Sequence, residues 1–432
     1  MHLNRFYLKD LASISLSGVD KKISPSEEIV RLCNYVDVYK NYAVTSLDYD
    51  HFMVASASKR EIDGFSLKKG DIAITKDSET RDDIGMPCYI ADDFNHKVLL
   101  GYHCALIRAN SDLIDSKYLT AYLNSEVARK YFSNNATGSG QRASLSKEVL
   151  ENLPVFAPSI QEQRNIGSLL SNIDRQIKLN CQINDNLEAM ARQLYEYWFV
   201  QFDFPDENGL PYKSSGGKMV WNDELKQEIP MSWKVTSIMD ACELVRGVTY
   251  SPSNVVDAKN GVLILRGNNV QNDHIVFSKN TVYLPKSKIL DEQILKKGDI
   301  LLNMSSGSKQ HLGKCALCTY DINESFGAFL SKLIVDDNMK YLVFLFLTSD
   351  SYKNTIASIC AGTSINNISK STLSSIYFIC PNDLLLQKFN LLVGSFFSQI
   401  GTNDYLNMLL NKNKSTIASQ LVTGQVTVNY HL

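Results

Sequence analysis

The hexapeptide LKKGDI stands at residues 67–72 and again at residues 295–300, 228 positions further along the chain. Gly85 and Gly313 are separated by the same 228 positions, so the segment from the hexapeptide to this glycine has one length in both places. Chance is a poor explanation for six identical residues together with an identical glycine at the same spacing. The pattern predicts an internal duplication, which organises the rest of the chain.

The duplication continues downstream of the hexapeptide. LSKEVLENLPVFAP (145–158) corresponds to ISKSTLSSIYFICP (368–381) at a spacing of 223. A region of roughly 150 residues therefore occurs twice. Within LKKGDI, Gly and Asp are typical of a turn that enters a buried strand, glycine for the backbone and aspartate to hydrogen-bond the turn. The hexapeptide itself is therefore interpreted as structural.

The bulk composition is that of a globular protein. A chain of 432 residues with 44% hydrophobic and 21% charged residues fits two or three domains. No apolar run approaches the roughly 18–20 residues of a membrane span, and MHLNRFYLKD lacks the apolar stretch of a signal peptide, so we expect a cytoplasmic protein.

Charge is distributed unevenly along the chain, but no region is strongly basic. The net charge is −2; residues 1–159 carry 19 Lys and Arg against 21 Asp and Glu, and residues 233–382 carry 15 against 12. Neutralising phosphates supplies most non-specific affinity for DNA. If the chain binds DNA, we expect weak binding unless partners supply much of the charge.

Each copy mixes short strand-like runs with a helical stretch, which is DSKYLTAYLNSEVARKYFSNN (115–135) in the first copy. A long helical pattern follows each copy. We expect a mixed α+β (α/β) fold with two pseudo-symmetric globular domains separated by two long antiparallel coiled-coil helices. The predicted division is a first domain (1–158), a first long helix (159–200), a linker (201–232), a second domain (233–382) and a second long helix with a C-terminal tail (383–432).

The first long helix carries two series with a seven-residue period. The first series is Ile166, Ile173, Asn180, Leu187 and Leu194, and the second, three residues behind it, is Leu169, Gln176, Ile183, Met190 and Tyr197. This heptad pattern predicts coiled-coil packing, with Asn180 and Gln176 as polar seam residues that fix the register. A helix of about 40 residues spans about 60 Å. The pattern of the second long helix is less regular and is expected to be interrupted at Gly401.

Motifs of a catalytic centre are missing from the sequence. There is no phosphate-binding loop, no HExxH and no GxSxG. Cys315 and Cys318 form a CxxC without the second ligand pair that a zinc site needs. The histidines at 51, 96, 103, 274 and 311 are interpreted as surface or satisfied core residues. The sequence thus predicts no catalytic residue, metal site or cofactor, and a duplicated body on a coiled coil favours a binding scaffold.

A resemblance to a known family rests on IKLNCQINDNLEAMARQLYEYWFVQFDFP (177–205). This stretch resembles the first conserved region of the specificity (S) subunit of type I restriction–modification systems. The matching residues are Asn180, Asn184, Leu187, Met190, Ala191, Leu194, Trp198, Phe199, Phe202, Asp203 and Phe204. Residues 214–235 are similar to that family's connector, and residues 145–166 to the segment leading into its helix. The resemblance covers the whole chain, although DLLLQKFN (383–390) keeps only part of the family's acidic-Gln-Gln-Lys/Arg pattern.

The resemblance implies a non-catalytic DNA-recognition subunit. Each target recognition domain would read one half of a split site on double-stranded DNA, and the paired helices would fix the gap between the halves. Two methylation subunits would dock on the helices and methylate adenine at N6 with S-adenosylmethionine. Up to two restriction subunits would add translocation and cleavage with ATP and Mg.

Base readout requires Arg, Lys, Asn, Gln and Ser side chains on loops. The residues predicted to contact DNA in the first domain are Lys59, Arg60, Lys76, Arg81, Ser139, Gln141 and Arg142. Those in the second domain are Arg266, Asn268, Asn269, Ser308, Lys309, Gln310, Thr363, Ser364, Asn366 and Asn367. The alternative for each is an exposed loop residue or turn former.

For partner docking, aromatic residues are favoured because they are enriched at interface anchors. The candidates are Tyr195, Trp198, Phe199 and Phe202. The alternative is that Trp198 closes the end of the helical seam.

Two other interpretations stay open at this point. A coiled-coil interaction scaffold with two adaptor domains and no DNA binding would carry apolar loops, whereas RGNN (266–269) and TSINN (363–367) are polar. An enzyme with an unrecognised site would need convergent titratable groups, and the two copies share only Asp71 and Asp299 as an obvious carboxylate.

Overall fold

The computed structural model describes residues 2–138, 142–277, 281–307, 311–361, 367–422 and 424–425. The chain divides into two compact units. The first unit comprises the residues up to Leu179 and those from Met408 onward, and the second unit comprises Asn180–Asn407. Helices and strands alternate in both units, which confirms the predicted mixed α+β fold class.

The first unit is built on two sheets. The larger has the strand order Ala12–Leu16, Cys104–Ala109, Ile72–Thr75, Pro87–Ile90 and Ala43–Val44. The smaller has the order Met53–Ala57, Glu28–Cys33 and Val98–Leu100. Two further strand pairs are Asn4–Tyr7 with Pro154–Ala157, and Asp77–Ser78 with Ala143–Ser144. Its short α-helices are Leu8–Leu11, Tyr35–Lys40, Lys59–Phe65, Ser116–Leu123, Glu126–Asn135 and Lys147–Glu151.

The second unit repeats this plan. Its larger sheet has the order Cys242–Arg246, Leu330–Val335, Ile300–Asn303 and Cys315–Leu317, and its smaller one Tyr283–Leu284, Val262–Leu265 and Ser325–Phe326. Strand pairs are Met219–Asn222 with Gln227–Pro230, Lys234–Ser237 with Tyr377–Cys380, and Val270–Gln271 with His274–Ile275. Its short α-helices are Ile238–Ala241, Lys340–Thr348, Asp350–Ala361 and Lys370–Ser374.

The repeated hexapeptide forms the same turn in both units. Its glycine has a positive φ, +91° at Gly70 and +94° at Gly298, which glycine adopts without the strain that a Cβ would bring. The aspartate accepts the N–H of the residue three before it, at 3.0 Å in the first unit and 2.8 Å in the second. A fully buried strand follows, Ile72–Thr75 or Ile300–Asn303. The structural interpretation of LKKGDI is confirmed.

The helical stretch predicted at 115–135 is two helices rather than one. It breaks at Asn124–Ser125, where the Ser125 hydroxyl accepts the N–H of Ala128 and caps the second helix. A cap satisfies a backbone donor that a helix start leaves unpaired, so a serine at this position favours a new helix start. The second unit has the same break, at Ser349.

Both long helices are present. The first spans Ile160–Tyr195 and ends in a π-helical turn, Glu196–Val200; the second spans Asp383–Val422. The predicted interruption at Gly401 was wrong, because the helix continues through it. Gly401 is needed for another reason: a Cβ there would lie 2.3 Å from the carbonyl oxygen of Thr319.

The seam of the first long helix differs from the prediction in its second series. The first series is buried or partly buried, but in the second Ile183 is 45% exposed and Met190 49%. The buried partners of the first series lie four residues after it, not three. They include Leu170, Asn184, Ala191 and Trp198. The a and d positions of a heptad alternate in steps of three and four, and the sequence allows both assignments.

Polar side chains fill part of the seam in the second unit. Asn180 donates to Asn407 Oδ1 at 2.8 Å, and Asn184 donates to Asp404 Oδ1 and accepts from Asn403, both at 2.8 Å. The residue number rises from 180 to 184 along the first long helix while that of its partner falls from 407 to 404 along the second, so the two helices are antiparallel here. Burial raises the pKa of Asp404, although hydrogen bonds from Thr319 and Asn184 act to lower it. Such buried amides are favourable only when paired, so they specify one register.

The predicted linker at 201–232 is more structured than its composition suggests. It holds the hairpin Met219–Asn222 and Gln227–Pro230. Phe204 stacks on Trp233, with ring centroids 4.8 Å apart, and both rings are buried in the core of the second unit. Aromatic residues anchor this segment, whereas its Pro, Gly and Ser content had indicated a linker.

Candidate nucleic-acid interface

In each unit, backbone hydrogen bonds join three chain segments just after the buried strand; we call this the three-segment junction. In the first unit the Lys76 N–H donates to the His103 carbonyl at 2.9 Å, and the Leu145 N–H donates to the Lys76 carbonyl at 2.7 Å. In the second unit the Met304 N–H donates to the Phe329 carbonyl at 2.9 Å, and the Ile368 N–H donates to the Met304 carbonyl at 2.7 Å. These two backbone hydrogen bonds are therefore shared by both units, while in the second unit the Ser305 N–H also donates to the Phe329 carbonyl at 3.2 Å.

The side chains on this common backbone differ between the units. In the first unit, Asp77 pairs across a short ladder with Ser144. In the second unit, the corresponding pair is Ser305 and Asn367. A charged position in one unit is thus neutral in the other. Two recognition surfaces with one backbone and different side chains would select different ligands.

A groove of about 1070 Å³ opens beside the junction of the first unit; we call it the first-unit groove. Its lining includes Tyr35, Tyr39, Asp77, His103 and Arg142. The two tyrosine rings stack with centroids 5.5 Å apart and an interplanar angle of 14°. Aromatic faces together with polar side chains suit the edges and faces of nucleic-acid bases.

The electrostatics of the groove are dominated by carboxylates. Asp37, Asp77, Glu79 and Asp83 line it, against the cations Lys21 and Arg142. Carboxylates repel phosphates and accept hydrogen bonds from base amino groups such as cytosine N4. The groove is therefore suited to base edges rather than to the phosphate backbone.

Asp77 is the hub of the junction. Its Oδ2 lies 2.9 Å from His103 Nδ1 and 2.9 Å from Lys76 Nζ, and its Oδ1 accepts from the Ser144 hydroxyl at 2.8 Å. Burial alone would raise the pKa of Asp77, but the hydrogen bonds from His103, Lys76 and Ser144 hold it below its usual value. The carboxylate is thus kept ionised and fixes three surrounding side chains.

The residues predicted for the first unit fall in different places. Lys76 lies at the junction and pairs with Asp77, and Arg142 is exposed and lines the groove. Arg81 is exposed and donates to the Gly138 carbonyl at 3.3 Å. Lys59 and Arg60 begin the helix Lys59–Phe65 and do not line the groove. Ser139 and Gln141 lie outside the described residues.

In the second unit, Arg266 directly follows the strand Val262–Leu265 and is the counterpart of Asn34, which lines the first-unit groove. Asn268 lies in the next turn. Asn269 is buried, accepts the Arg266 N–H at 2.8 Å and donates to the Val276 carbonyl, so it holds this turn. Asn367 is exposed at the junction. Ser308, Lys309, Gln310, Thr363, Ser364 and Asn366 lie outside the described residues.

Sequence reasoning missed the aromatic residues of the groove. His103 had been interpreted as a surface or satisfied core residue, yet it lines the groove with Tyr35 and Tyr39. One signal could have found it. GYHCALI (101–107) and GAFLSKL (327–333) align at a spacing of 226, which places His103 opposite Phe329.

The four aromatic residues predicted to dock a partner are buried within the second unit, at 3–8% exposure. Trp198 and Phe199 pack on Phe389, with ring centroids 5.7 and 4.7 Å apart, and Phe202 meets Trp233 edge-on at 5.7 Å, while Tyr195 lies in the same core. This packing favours the alternative that Trp198 closes the helical seam. A direct docking role for the four stays a prediction.

Within the described ranges, no group of three or more His, Cys, Asp or Glu side chains is placed to hold a metal ion. In the same part of the chain, no helix is long and apolar enough to cross a bilayer.

Comparison with known proteins identifies one family whose model matches most of the chain. A family model described as "Type I restriction modification DNA specificity domain" matches residues 5–189 and 230–388. The type I restriction enzyme MjaIX specificity subunit of Methanocaldococcus jannaschii is 27% identical over 324 residues, 73% of this chain and 70% of that protein. The HindI specificity subunit of Haemophilus influenzae is 23% identical over 427 residues, 84% of this chain and 87% of that protein.

The fold has a counterpart among solved structures. The crystal structure of the S subunit of a type I restriction–modification system from M. genitalium matches with a TM-score of 0.56 at 13% identity. The match covers 99% of this chain and 97% of that one. The likeness concerns the fold of the chain from end to end.

Proposed function

Because the chain belongs to the family of type I restriction–modification specificity subunits, we propose that it recognises a bipartite double-stranded DNA target, one half-site per unit. It performs no catalysis itself. The two long helices, each of which contributes residues to both units, fix the gap between the half-sites. The same helices hold the methylation subunits and, where present, the restriction subunits.

One observation carries this proposal, the three-segment junction. Both units repeat the same backbone hydrogen bonds within 0.1 Å, yet Asp77 and Ser144 of the first unit are replaced by Ser305 and Asn367 in the second. The shared backbone hydrogen bonds support a common mode of binding, and the different side chains support unlike targets. This combination supports two unlike half-sites, and their fixed separation is supported by the two long helices, since half-site spacing in two-part readers of DNA is set by the geometry of the protein.

A docking face for a methylation subunit is supported by the exposed residues of the first long helix. Ile183, Met190 and Tyr197 recur every seven residues and are 40–49% exposed. Leu391 of the second long helix is 79% exposed. Apolar side chains that repeat along a helix outside its own seam suit a second protein.

The cofactors of the reaction belong to the partners in this proposal. S-adenosylmethionine is bound by the methylation subunits, and ATP and Mg by the restriction subunits. This chain supplies base contacts, while the assembly supplies much of the phosphate neutralisation. A net charge of −2 is in keeping with that division of roles.

The proposal is tested by selecting DNA duplexes from a randomised pool with the full chain in complex with its methylation subunit. We expect two short, unlike conserved blocks around a constant number of unselected base pairs. Inserting one base pair into that gap should weaken binding sharply, because the helices fix the distance between the reading surfaces. A complex that assembles but selects no sequence, or selects one continuous block, contradicts the proposal and favours the interaction scaffold.

A further inference from the structure

His103 and Phe329 occupy the same position of the same turn in the two units. The turn begins at Gly101 or Gly327, whose carbonyl accepts the N–H of the residue three further on, at 3.1 and 2.8 Å. The glycine N–H donates to the end of a strand, at Cys33 in the first unit. Because the two turns share these hydrogen bonds, the third residue of the turn has the same backbone position in both units. It is a histidine in the first unit and a phenylalanine in the second.

The imidazole of His103 is held in one orientation. Its Nδ1 lies 2.9 Å from Asp77 Oδ2, and its ring lies 3.8 Å from that of Tyr102 and meets Tyr35 edge-on at 6.5 Å. When Nδ1 carries the proton donated to Asp77, Nε2 of the neutral ring is a hydrogen-bond acceptor. Among the described residues, Nε2 makes no hydrogen bond. It is therefore available to an N–H donor in the groove.

Asp77 acts through His103 in this arrangement. Its carboxylate is fixed by Lys76 and Ser144, and it selects the tautomer that leaves Nε2 as an acceptor. Asp77 is thus a positioning residue. In the second unit Ser305 takes its place, and there is no imidazole to orient.

Phe329 presents a different chemistry at the same position. Phe329 is 67% exposed, although the next residue, Leu330, is fully buried. A large apolar side chain is thus exposed on a hydrogen-bonded turn that leads into the sheet. In the DNA major groove, the apolar group that a phenyl ring can recognise is the 5-methyl group of thymine.

We propose that His103 and Phe329 are the equivalent base-reading residues of the two units, each deciding one base of its half-site. His103 accepts a hydrogen bond from an exocyclic amino group, adenine N6 or cytosine N4, and Phe329 packs on the methyl group of thymine. The inference rests on the proposed bipartite recognition and adds which side chains make the halves unlike.

The test is duplex selection with reciprocal variants of the full chain in complex with the methylation subunit. His103→Phe should change the preferred base at one position of one half-site by about tenfold in relative affinity. Phe329→His should do the same in the other half-site only. Replacing thymine by uracil at the position read by Phe329 removes only the methyl group, and it should weaken binding of the wild type but not of Phe329→Ala.

Matched controls use the same substitutions elsewhere. His96→Phe changes a histidine of the first unit that lines a different groove, and Phe277→His changes an exposed phenylalanine of the second unit. Neither should alter the selected sequence. Because Phe329 is largely exposed, its variants test the inference without a change in folding.

The outcomes separate the two proposals. A wild-type complex that selects two unlike half-sites, with His103→Phe and Phe329→His selecting the same sequence as wild type, overturns the base-reading assignment and leaves bipartite recognition standing. A wild-type complex that selects no bipartite sequence overturns both. A change confined to the predicted half-site in each variant supports the assignment.

Discussion

Lys332 Nζ lies 2.9 Å from Asp299 Oδ2 in the core of the second unit, where the two side chains are 3% and 9% exposed. Lys332 also donates to the Ile294 carbonyl at 3.0 Å. In the first unit the equivalent aspartate, Asp71, pairs with Arg108 at 3.1 Å, and the arginine side chain is 33% exposed. In both units, therefore, the aspartate of the duplicated turn pairs with a cationic side chain of a neighbouring strand. Only in the second unit is that cationic side chain buried.

Replacing Asp299 should be more harmful than replacing Asp71. Asp299→Ala leaves the Lys332 ammonium buried without its counter-ion, which should cost about 3–5 kcal/mol of unfolding free energy. Asp71→Ala removes hydrogen bonds to a guanidinium that can turn to water, at a cost of about 1.5–3 kcal/mol. Denaturant unfolding of both variants measures the difference. Equal losses would show that the burial of Lys332 is not what sets the cost.

Gly401→Ala should destabilise the second unit although alanine is the better helix former. The intrinsic gain of about 1 kcal/mol is outweighed because the new Cβ would lie 2.3 Å from the Thr319 carbonyl oxygen, so the helix must move. Gly64→Ala is the control, because it lies in the helix Lys59–Phe65 with no atom within 4 Å of its Cβ. The midpoint of thermal unfolding should fall for the first variant and stay level or rise for the second.

The stability of the second unit should fall through His274 as the pH rises above about 6.5. Its Nε2 lies 3.2 Å from Glu188 Oε1, and this hydrogen bond raises the pKa of His274 although burial lowers it. Protonation therefore favours the folded state. The stabilisation is complete below the unfolded pKa of about 6.5 and is lost as the pH rises through the higher folded pKa.

Unfolding free energies of wild type and of His274→Gln, measured below and above that pH, test this effect. The variant should lose less stability than the wild type as the pH rises, because it has no proton to lose. Glu188→Gln should also lose less stability than the wild type as the pH rises, since it removes the negative charge that favours the protonated imidazole. A variant with the full wild-type pH dependence would assign the effect to other groups.

Met190→Glu should weaken assembly with the methylation subunit without lowering stability. Met190 is 49% exposed on the flank of the seam, so a charge there is tolerated in the free chain but not beneath a partner's apolar surface. Ala189→Glu adds the same charge a little over a quarter turn away around the helix and serves as the control. Co-purification with the methylation subunit should be reduced for the first variant alone. An equal effect of both would place the docking surface elsewhere.

Much of the architecture could be predicted from the sequence because it is carried by local identities. The repeated LKKGDI indicated the duplication. A sustained seven-residue period without proline indicated the first long helix. The seam was harder, since residues 183 and 184 are Ile and Asn, and hydrophobicity favours the isoleucine. The structure buries Asn184 instead, because Asp404 and Asn403 satisfy its amide. A hydrogen bond between residues that are far apart in the chain cannot be inferred from a single sequence.

The candidate site was the least predictable part. Lys76 and Arg142 were predicted because charged loop residues suit DNA, and their contact with DNA stays a prediction, whereas His103 has no motif around it. Its position depends on Asp77, which precedes it by 26 residues, and on Tyr35, which lies further still. The three meet only because the sheet brings the ends of separate strands together.

The most direct test of the account is a methylome of cells that express this chain with its methylation subunit, with N6-methyladenine mapped by single-molecule sequencing. We expect methylation at one bipartite motif, two short unlike halves separated by a constant gap of unspecified bases. Methylation at a continuous motif, or at two halves with a variable gap, would contradict the claim that two different reading surfaces are held at one distance by the paired helices.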